Sequence, residues 1–177
     1  MHQSNLFEVE RANATRSEAN DRFATLAPTD LTQGEQDSLI RLALQVLEPT
    51  VRYDAFTDAE STKRYLQLRF ARESHEVFAC AYLDNRHRLI ELAELFRGTI
   101  DGCTVHPRVV ALRALTVNAA ACIIAHNHPS GDPTPSRADI RITQRIREVL
   151  DLFDIRVLDH IVVGREGVVS LAEEGKL

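Results

Sequence analysis

His126 and His128 stand two residues apart, where the apolar run Ala119–Ala125 meets the Pro- and Gly-rich segment HNHPSGDPTPS, residues 126 to 136. At the end of a strand, side chains at i and i+2 project to the same side, so both imidazoles can reach one ion. A catalytic zinc site takes three protein ligands and leaves a fourth position for water, so a third ligand is needed. Asp139 is the best candidate. The Pro-rich loop can reverse the chain, and the first turn of a following helix can carry the Asp139 carboxylate back toward the two histidines. Ser136, three residues earlier, faces the same space. Ser136 and Asp139 also read as a helix start, with a serine N-cap and an acid in the first turn. Capping explains those two residues without a metal, but it explains neither histidine, and the balance falls on a metal centre.

The elements that would position this group follow from the patterning. Residues 1 to about 28 carry large apolar residues at no consistent period and read as a flexible tail. Thr32 and Glu35 form a capping-box pattern opening a helix whose apolar face, Leu39, Leu42, Ala43, Val46 and Leu47, runs until Pro49. Thr57 and Glu60 repeat the signal for a helix to about Arg72. EVFACAYLD and RLIELAELF, joined by the polar turn Asn85–His87, read as a strand hairpin. Gly98 and Gly102 flank a short extended piece. Pro107 suits a first helical turn and opens a helix to about Asn118. Residues 119 to 125 make a strand buried on both faces, a helix is expected from about Arg137 to Leu152, and IRVLDHIVVG and VVSL close the chain as strands. Interspersed strands and helices favour helices packed on a mixed sheet.

Composition narrows the class. The chain has 177 residues, 44% of them hydrophobic and 27% charged, which fits one medium-sized domain with an accessory segment; residues 1–56 are read as tail and accessory helix and 57–177 as the domain. With 21 basic and 26 acidic residues the net charge is −5, which lacks the basic excess of a dedicated nucleic-acid binder. The spacing of Cys80, Cys103 and Cys122 matches no disulfide framework, pointing to reduced, buried thiols. No run of about 18 apolar residues and no secretory leader pattern occurs, so the expected location is the cytoplasm, with no membrane partner.

HNHPSGDPTPSRAD closely resembles the RadC-like branch of the JAMM (MPN-domain) metalloprotease superfamily. The resemblance extends through FRGTIDGCTVHPR, NAAACIIA and LDHIVVG, and covers roughly residues 60 to 175. It implies an α/β fold, a mixed sheet flanked by helices in the MPN/JAMM arrangement, whose layout is related to that of cytidine deaminases. It also implies zinc as cofactor, His126, His128 and Asp139 as its ligands, Ser136 as stabiliser of the reaction intermediate, and an upstream glutamate that activates water. The resemblance places that glutamate at the start of EVFACAYLD, which is Glu76; Glu73 is the runner-up, and Glu91 and Glu94 are weaker options. The implied reaction is hydrolysis of a peptide or isopeptide-linked substrate. The chain departs from the family twice. Val109 stands where RadC-like sequences carry the glutamate of PRE, and residues 1 to 60 show no helix-hairpin-helix region.

Three rivals are weighed. A nucleobase deaminase needs HxE and PCxxC, and neither occurs. The letters His126, Asn127, His128 coincide with the name of the HNH nucleases, whose motif positions are dispersed. A module with an idle zinc site, binding protein or nucleic acid, draws on Arg137, Arg141 and Arg145 and on Lys63, Arg64, Arg69 and Arg72, although a solvated helix face explains both sets. His160 reads first as a buried, hydrogen-bonded histidine and, as the alternative, as a residue that supports the metal ligands from behind, with His75, His87 and His106 at turns and strand ends.

Overall fold

Alternating burial on two faces shapes the sheet. In the computed structural model, which describes residues 26–51, 56, 58–98 and 104–177, the central strands are apolar throughout. β1 (Val77–Leu83) and β3 (Ala121–Asn127) are buried at every position, as expected for strands covered on both sides. β2 (Leu89–Arg97) alternates between half-buried and exposed positions and forms one edge. β4 (Arg156–Val163) follows β3, and β5 (Val168–Ser170) closes the other edge, so the order is β2-β1-β3-β4-β5. β1 is antiparallel to β2 and β3, β3 is parallel to β4, and β4 is antiparallel to β5. The fold is α/β, a mixed five-stranded sheet flanked by helices.

Four α-helices accompany the sheet among the described residues: α1 (Gln33–Val51), α2 (Ala59–Phe70), α3 (Pro107–Thr116) and α4 (Arg137–Asp151). α4 is the crossover that the parallel β3–β4 pair requires. Odd-numbered β1 residues Val77, Ala79, Ala81 and Leu83 pack with Leu66 and Phe70 of α2, whereas Phe78, Cys80 and Tyr82 pack with Val110 and Ala114 of α3 and Ile146 and Leu150 of α4. The period-2 strand therefore serves two cores at once. Cys80 and Cys122 are buried free thiols, as expected.

Several boundaries differ from the sequence reading. α1 continues through Pro49 to Val51, because so close to a helix end proline costs one carbonyl bond without ending the helix. The observed N-cap of α2 is Asp58, whose carboxylate accepts from Ser61 N at 2.9 Å. The Thr32–Glu35 capping box forms as expected, with Glu35 accepting from Thr32 N at 2.8 Å. β3 runs two residues further than the apolar run, to Asn127. The expected tail up to residue 25, the extended piece around 99–103 with Cys103, and residues 52–55 and 57 beside the expected domain boundary lie outside the described residues. Along the chain, one compact unit ends at Arg41 and a second begins at Leu42. Among the described residues no helix is long and apolar enough to cross a membrane.

Candidate metal centre

The extension of β3 decides the geometry of the site. His126 remains inside the sheet, 1% exposed, on the same face as Cys122 and Ile124, and stacks on Phe78 at 6.3 Å between ring centroids. His128 lies just beyond the strand end, half-buried, its backbone N–H donating to Val163 O of β4 at 2.8 Å. The loop then turns through Gly131, at φ 102°, and returns over the end of β4. Gly164 permits this return: a Cβ there would meet Gly131 O at 2.2 Å and Pro133 N at 2.7 Å, both backbone atoms that cannot give way cheaply. The loop delivers the chain to Ser136, the N-cap of α4.

Both halves of the capping box form. Asp139 N donates to Ser136 Oγ at 3.1 Å and Ser136 N donates to Asp139 Oδ2 at 2.7 Å. The capping reading is thus correct, and it does not exhaust Asp139. The same carboxylate places Oδ1 3.5 Å from His126 Nε2 and Oδ2 3.6 Å from His128 Nε2. One donor atom from each of His126, His128 and Asp139 lies within 4.8 Å of the others.

This donor set fits a metal ion. His128 Nδ1 lies 2.7 Å from Asp132 O, an acceptor only, so that nitrogen carries a proton and the neutral ring turns its Nε2 lone pair inward. The two Nε2 atoms are 2.9 Å apart. Two lone pairs at that distance repel, so the arrangement calls for a proton or a cation between them, with the Asp139 carboxylate beside it. Two imidazoles and a carboxylate match the three-ligand pattern of hydrolytic zinc sites.

Charge and burial set the protonation. Burial depresses His126 to a pKa of about 4, against the lift from Asp139. The adjoining Asp139 carboxylate raises His128 above its ordinary value, burial opposing. Burial alone would push the Asp139 carboxyl up, but His128, His126 and the Ser136 donors together hold it well below the usual range. Burial drives His160 well below its ordinary value, with His126 adding to the effect.

Glu76 immediately precedes β1 and is half-buried. Burial raises its pKa, and the negative Asp139 raises it further, while His128 lowers it. The alternatives are otherwise engaged: Glu73 pairs with Arg97 at 3.0 Å, Glu94 pairs with Arg69 and Arg97, and Glu91 pairs with Arg113 at 2.6 Å. Val109, in the first turn of α3, brings no ionisable group.

Sequence reasoning missed the supporting role of four residues around the centre. Asn127, 4% exposed, accepts from Val77 N at 2.8 Å and donates to His75 O at 2.9 Å, gripping the backbone on either side of Glu76. Gly98 N donates to Glu76 O at 2.8 Å. Thr143, one turn beyond Asp139, contacts His160, and Gly164 seats the loop. A polar residue closing an apolar strand and a glycine directly after one were the available signals.

The comparisons agree with this architecture. The RadC-like JAB domain model matches residues 56–176. A UPF0758 protein of Vibrio cholerae is 57% identical over 136 residues, covering 76% of this chain and 85% of its own length. UPF0758 proteins of Nitrosococcus oceani and Thioalkalivibrio sulfidiphilus are 59% and 58% identical over 132 and 130 residues. The chain spans 59% and 58% of the length of these two relatives. A mixed sheet carrying a His-His-Asp group at its centre, with a family match over the whole region that builds it, leads to one conclusion: the chain belongs to the RadC-like JAB domain family of JAMM (MPN-domain) proteins.

Proposed function

We propose that this domain is a zinc-dependent hydrolase that cleaves a peptide or isopeptide bond, with His126, His128 and Asp139 as ligands, Glu76 as general base and Ser136 as oxyanion donor. The observation that carries the reading is the placement of Glu76. It is the one carboxylate of the four candidates that escapes ion pairing among the described residues, and burial, with the negative Asp139 adding to it, raises its pKa. Zinc held by the three ligands would supply Lewis acidity to a carbonyl and bring a water toward a pKa of about 7.

The chain's own groups supply the rest. A half-buried carboxylate with a raised pKa accepts a proton more readily and can return it to a leaving amine as general acid. Asn127 holds the backbone on both sides of Glu76, so the base starts from a fixed position. Ser136 Oγ accepts from Asp139 N, and its O–H, one of the donors to the Asp139 carboxylate, would turn to a developing oxyanion.

The test is hydrolysis of a panel of peptide and isopeptide substrates by the zinc-loaded full chain, with Glu76→Gln beside it. The expected outcome is about one zinc per chain in both proteins and a rate lower by about 10²–10⁴-fold in the variant. Equal rates would overturn the assignment of the base, and no turnover in either would overturn the hydrolase.

A second reading, an idle metal site in a polyanion-binding module, draws on Arg137, Arg141 and Arg145. All three are exposed along α4, starting beside Asp139, and they form no ion pair among the described residues. Salt-dependent retention on nucleic acid by a protein that hydrolyses nothing would favour it.

A further inference from the structure

Beneath the candidate ligands lies a chain of buried polar contacts that begins on one ligand residue and ends on another. Asp139 O accepts from Thr143 Oγ1 at 2.6 Å, Thr143 Oγ1 lies 2.5 Å from His160 Nδ1, and His160 Nε2 lies 2.8 Å from His126 Nδ1. His126 Nε2 then faces His128 and Asp139. Thr143 is 1% exposed and His160 is fully buried, its ring set edge-on to Phe78 at 5.8 Å. No loop takes part: α4 carries Thr143 one helical turn after Asp139, and β4 carries His160 beside Ile124 of β3.

We propose that Thr143 and His160 are positioning residues that hold His126 in the single tautomer able to bind a metal ion. The proposal rests on the reading of His126 as a ligand, and it requires no hydrolytic activity. Donor counting carries it. A backbone carbonyl only accepts, and a threonine hydroxyl has one proton, so that proton lies between Thr143 Oγ1 and Asp139 O. Thr143 then has only lone pairs for His160, whose Nδ1 must carry the proton. The neutral His160 ring therefore presents a bare Nε2, which accepts from His126 Nδ1–H. The remaining lone pair of His126, on Nε2, points at His128 and Asp139.

The reversed chain has the same number of protons and is the relevant competitor. If Thr143 donated to His160, the protons would shift to His160 Nε2 and His126 Nε2, and His126 would lose its ligand lone pair. That arrangement sets Asp139 O and Thr143 Oγ1 2.6 Å apart with no proton between them, a repulsive contact of two acceptors that nothing relieves, whereas the contact of bare Nε2 atoms at 2.9 Å in the proposed chain is the one that a cation between His126 and His128 relieves. The hydroxyl of Thr143, three contacts away from the metal position, thus selects the state of His126. A ligating histidine usually gives its second N–H to a carboxylate, a carbonyl or a water. Here the acceptor is a second imidazole whose own state is set by a helix carbonyl.

The experiment uses the full chain, metal-free and then titrated with zinc against a chromophoric chelator. Proton–nitrogen correlation spectra of the histidine rings report which nitrogen of His126 carries the proton. Wild type is expected to show His126 protonated at Nδ1 and His160 protonated at Nδ1. Thr143→Val, nearly isosteric, is expected to bring the Nε2–H form of His126 into the spectrum and to weaken zinc binding about 10–100-fold. Thr143→Ser, which keeps the hydroxyl, is expected to restore both. A wild-type spectrum with His126 protonated at Nε2 would overturn the proposal without any variant. So would zinc binding within about twofold of wild type in a folded Thr143→Val. If wild type takes no zinc at all, the metal reading fails, whereas the tautomer spectrum still decides the relay.

Discussion

The two faces of the sheet are built from alternate residues of the same strands, yet they end differently. On the face covered by α2, Val77, Ala79, Ala81, Leu83, Ile123 and Ala125 meet Leu66 and Phe70 in a continuous apolar cluster. On the other face, Phe78, Cys80, Tyr82, Cys122 and Ile124 begin in the same way beneath α3 and α4. Toward the loop end that cluster gives way to His126, His160 and Thr143. Buried polar groups are costly unless each finds a partner, and here each does. The contrast teaches that one face stabilises the domain, while the other gives up part of its packing to hold three polar side chains in fixed relation.

Leu66→Ala on the apolar face is the sharpest way to separate the two roles. Removing a fully buried leucine side chain is expected to cost about 2–5 kcal/mol by denaturant unfolding, with zinc affinity in the folded protein unchanged. A parallel loss of zinc affinity would show that the faces are not independent.

Acid should break the opposite face. His126 has its pKa depressed by burial from an ordinary 6.5 to about 4, so the unfolded chain takes up the proton first. Its contribution is fully present above about pH 6.5 and is lost as pH falls toward 4, for about 3 kcal/mol in the metal-free protein. His160, also depressed, acts in the same direction. His128, raised by Asp139, acts in the opposite one: its contribution is present below pH 6.5 and fades as pH rises through its folded value. Urea midpoints measured across pH 4 to 7.5 should therefore fall on the acid side, and bound zinc should steepen that fall, because its ligands give up their protons to hold it. A metal-free protein equally stable at pH 4.5 and 7 would contradict the buried neutral pair.

The smallest effect is expected at the seam between the faces. Asn127→Ala leaves the buried Val77 N–H without its acceptor, at about 1–3 kcal/mol. If Asn127 positions Glu76, turnover should fall by more than the loss of folded protein explains, with zinc stoichiometry intact. A purely structural Asn127 would change stability alone.

Much of this arrangement was legible from residue types and spacing. The HxH pair, the SxxD helix start and the apolar strand that precedes them are local patterns, and the structure brings those residues together. The hairpin, the covered central strand and the crossover helix were equally readable from periodicity. Local spacing was less informative at element ends: β3 continues into polar His126 and Asn127 because partners on β1 and β4 are available there, and Pro49 does not end α1. Among four nearby glutamates, spacing alone could not separate Glu76 from Glu73, Glu91 and Glu94. The neighbouring arginines separate them, and those pairs join residues up to 25 positions apart.

The sequence by itself determined which groups meet through a short loop, because a strand period of two and a helix turn of about four residues leave His126, His128, Ser136 and Asp139 few other places to go. The tertiary structure alone decided how those groups are supported. Thr143 meets His160 only after α4 has crossed the sheet and β4 has paired beside β3 in one register. Asn127 reaches the flanks of Glu76 only across the β1–β3 pair, 50 residues away, and Gly164 matters only because a returning backbone lies on it. Hydrogen bonds and close packing act over a few ångströms in space irrespective of distance along the chain, so these supports came into view only with the fold.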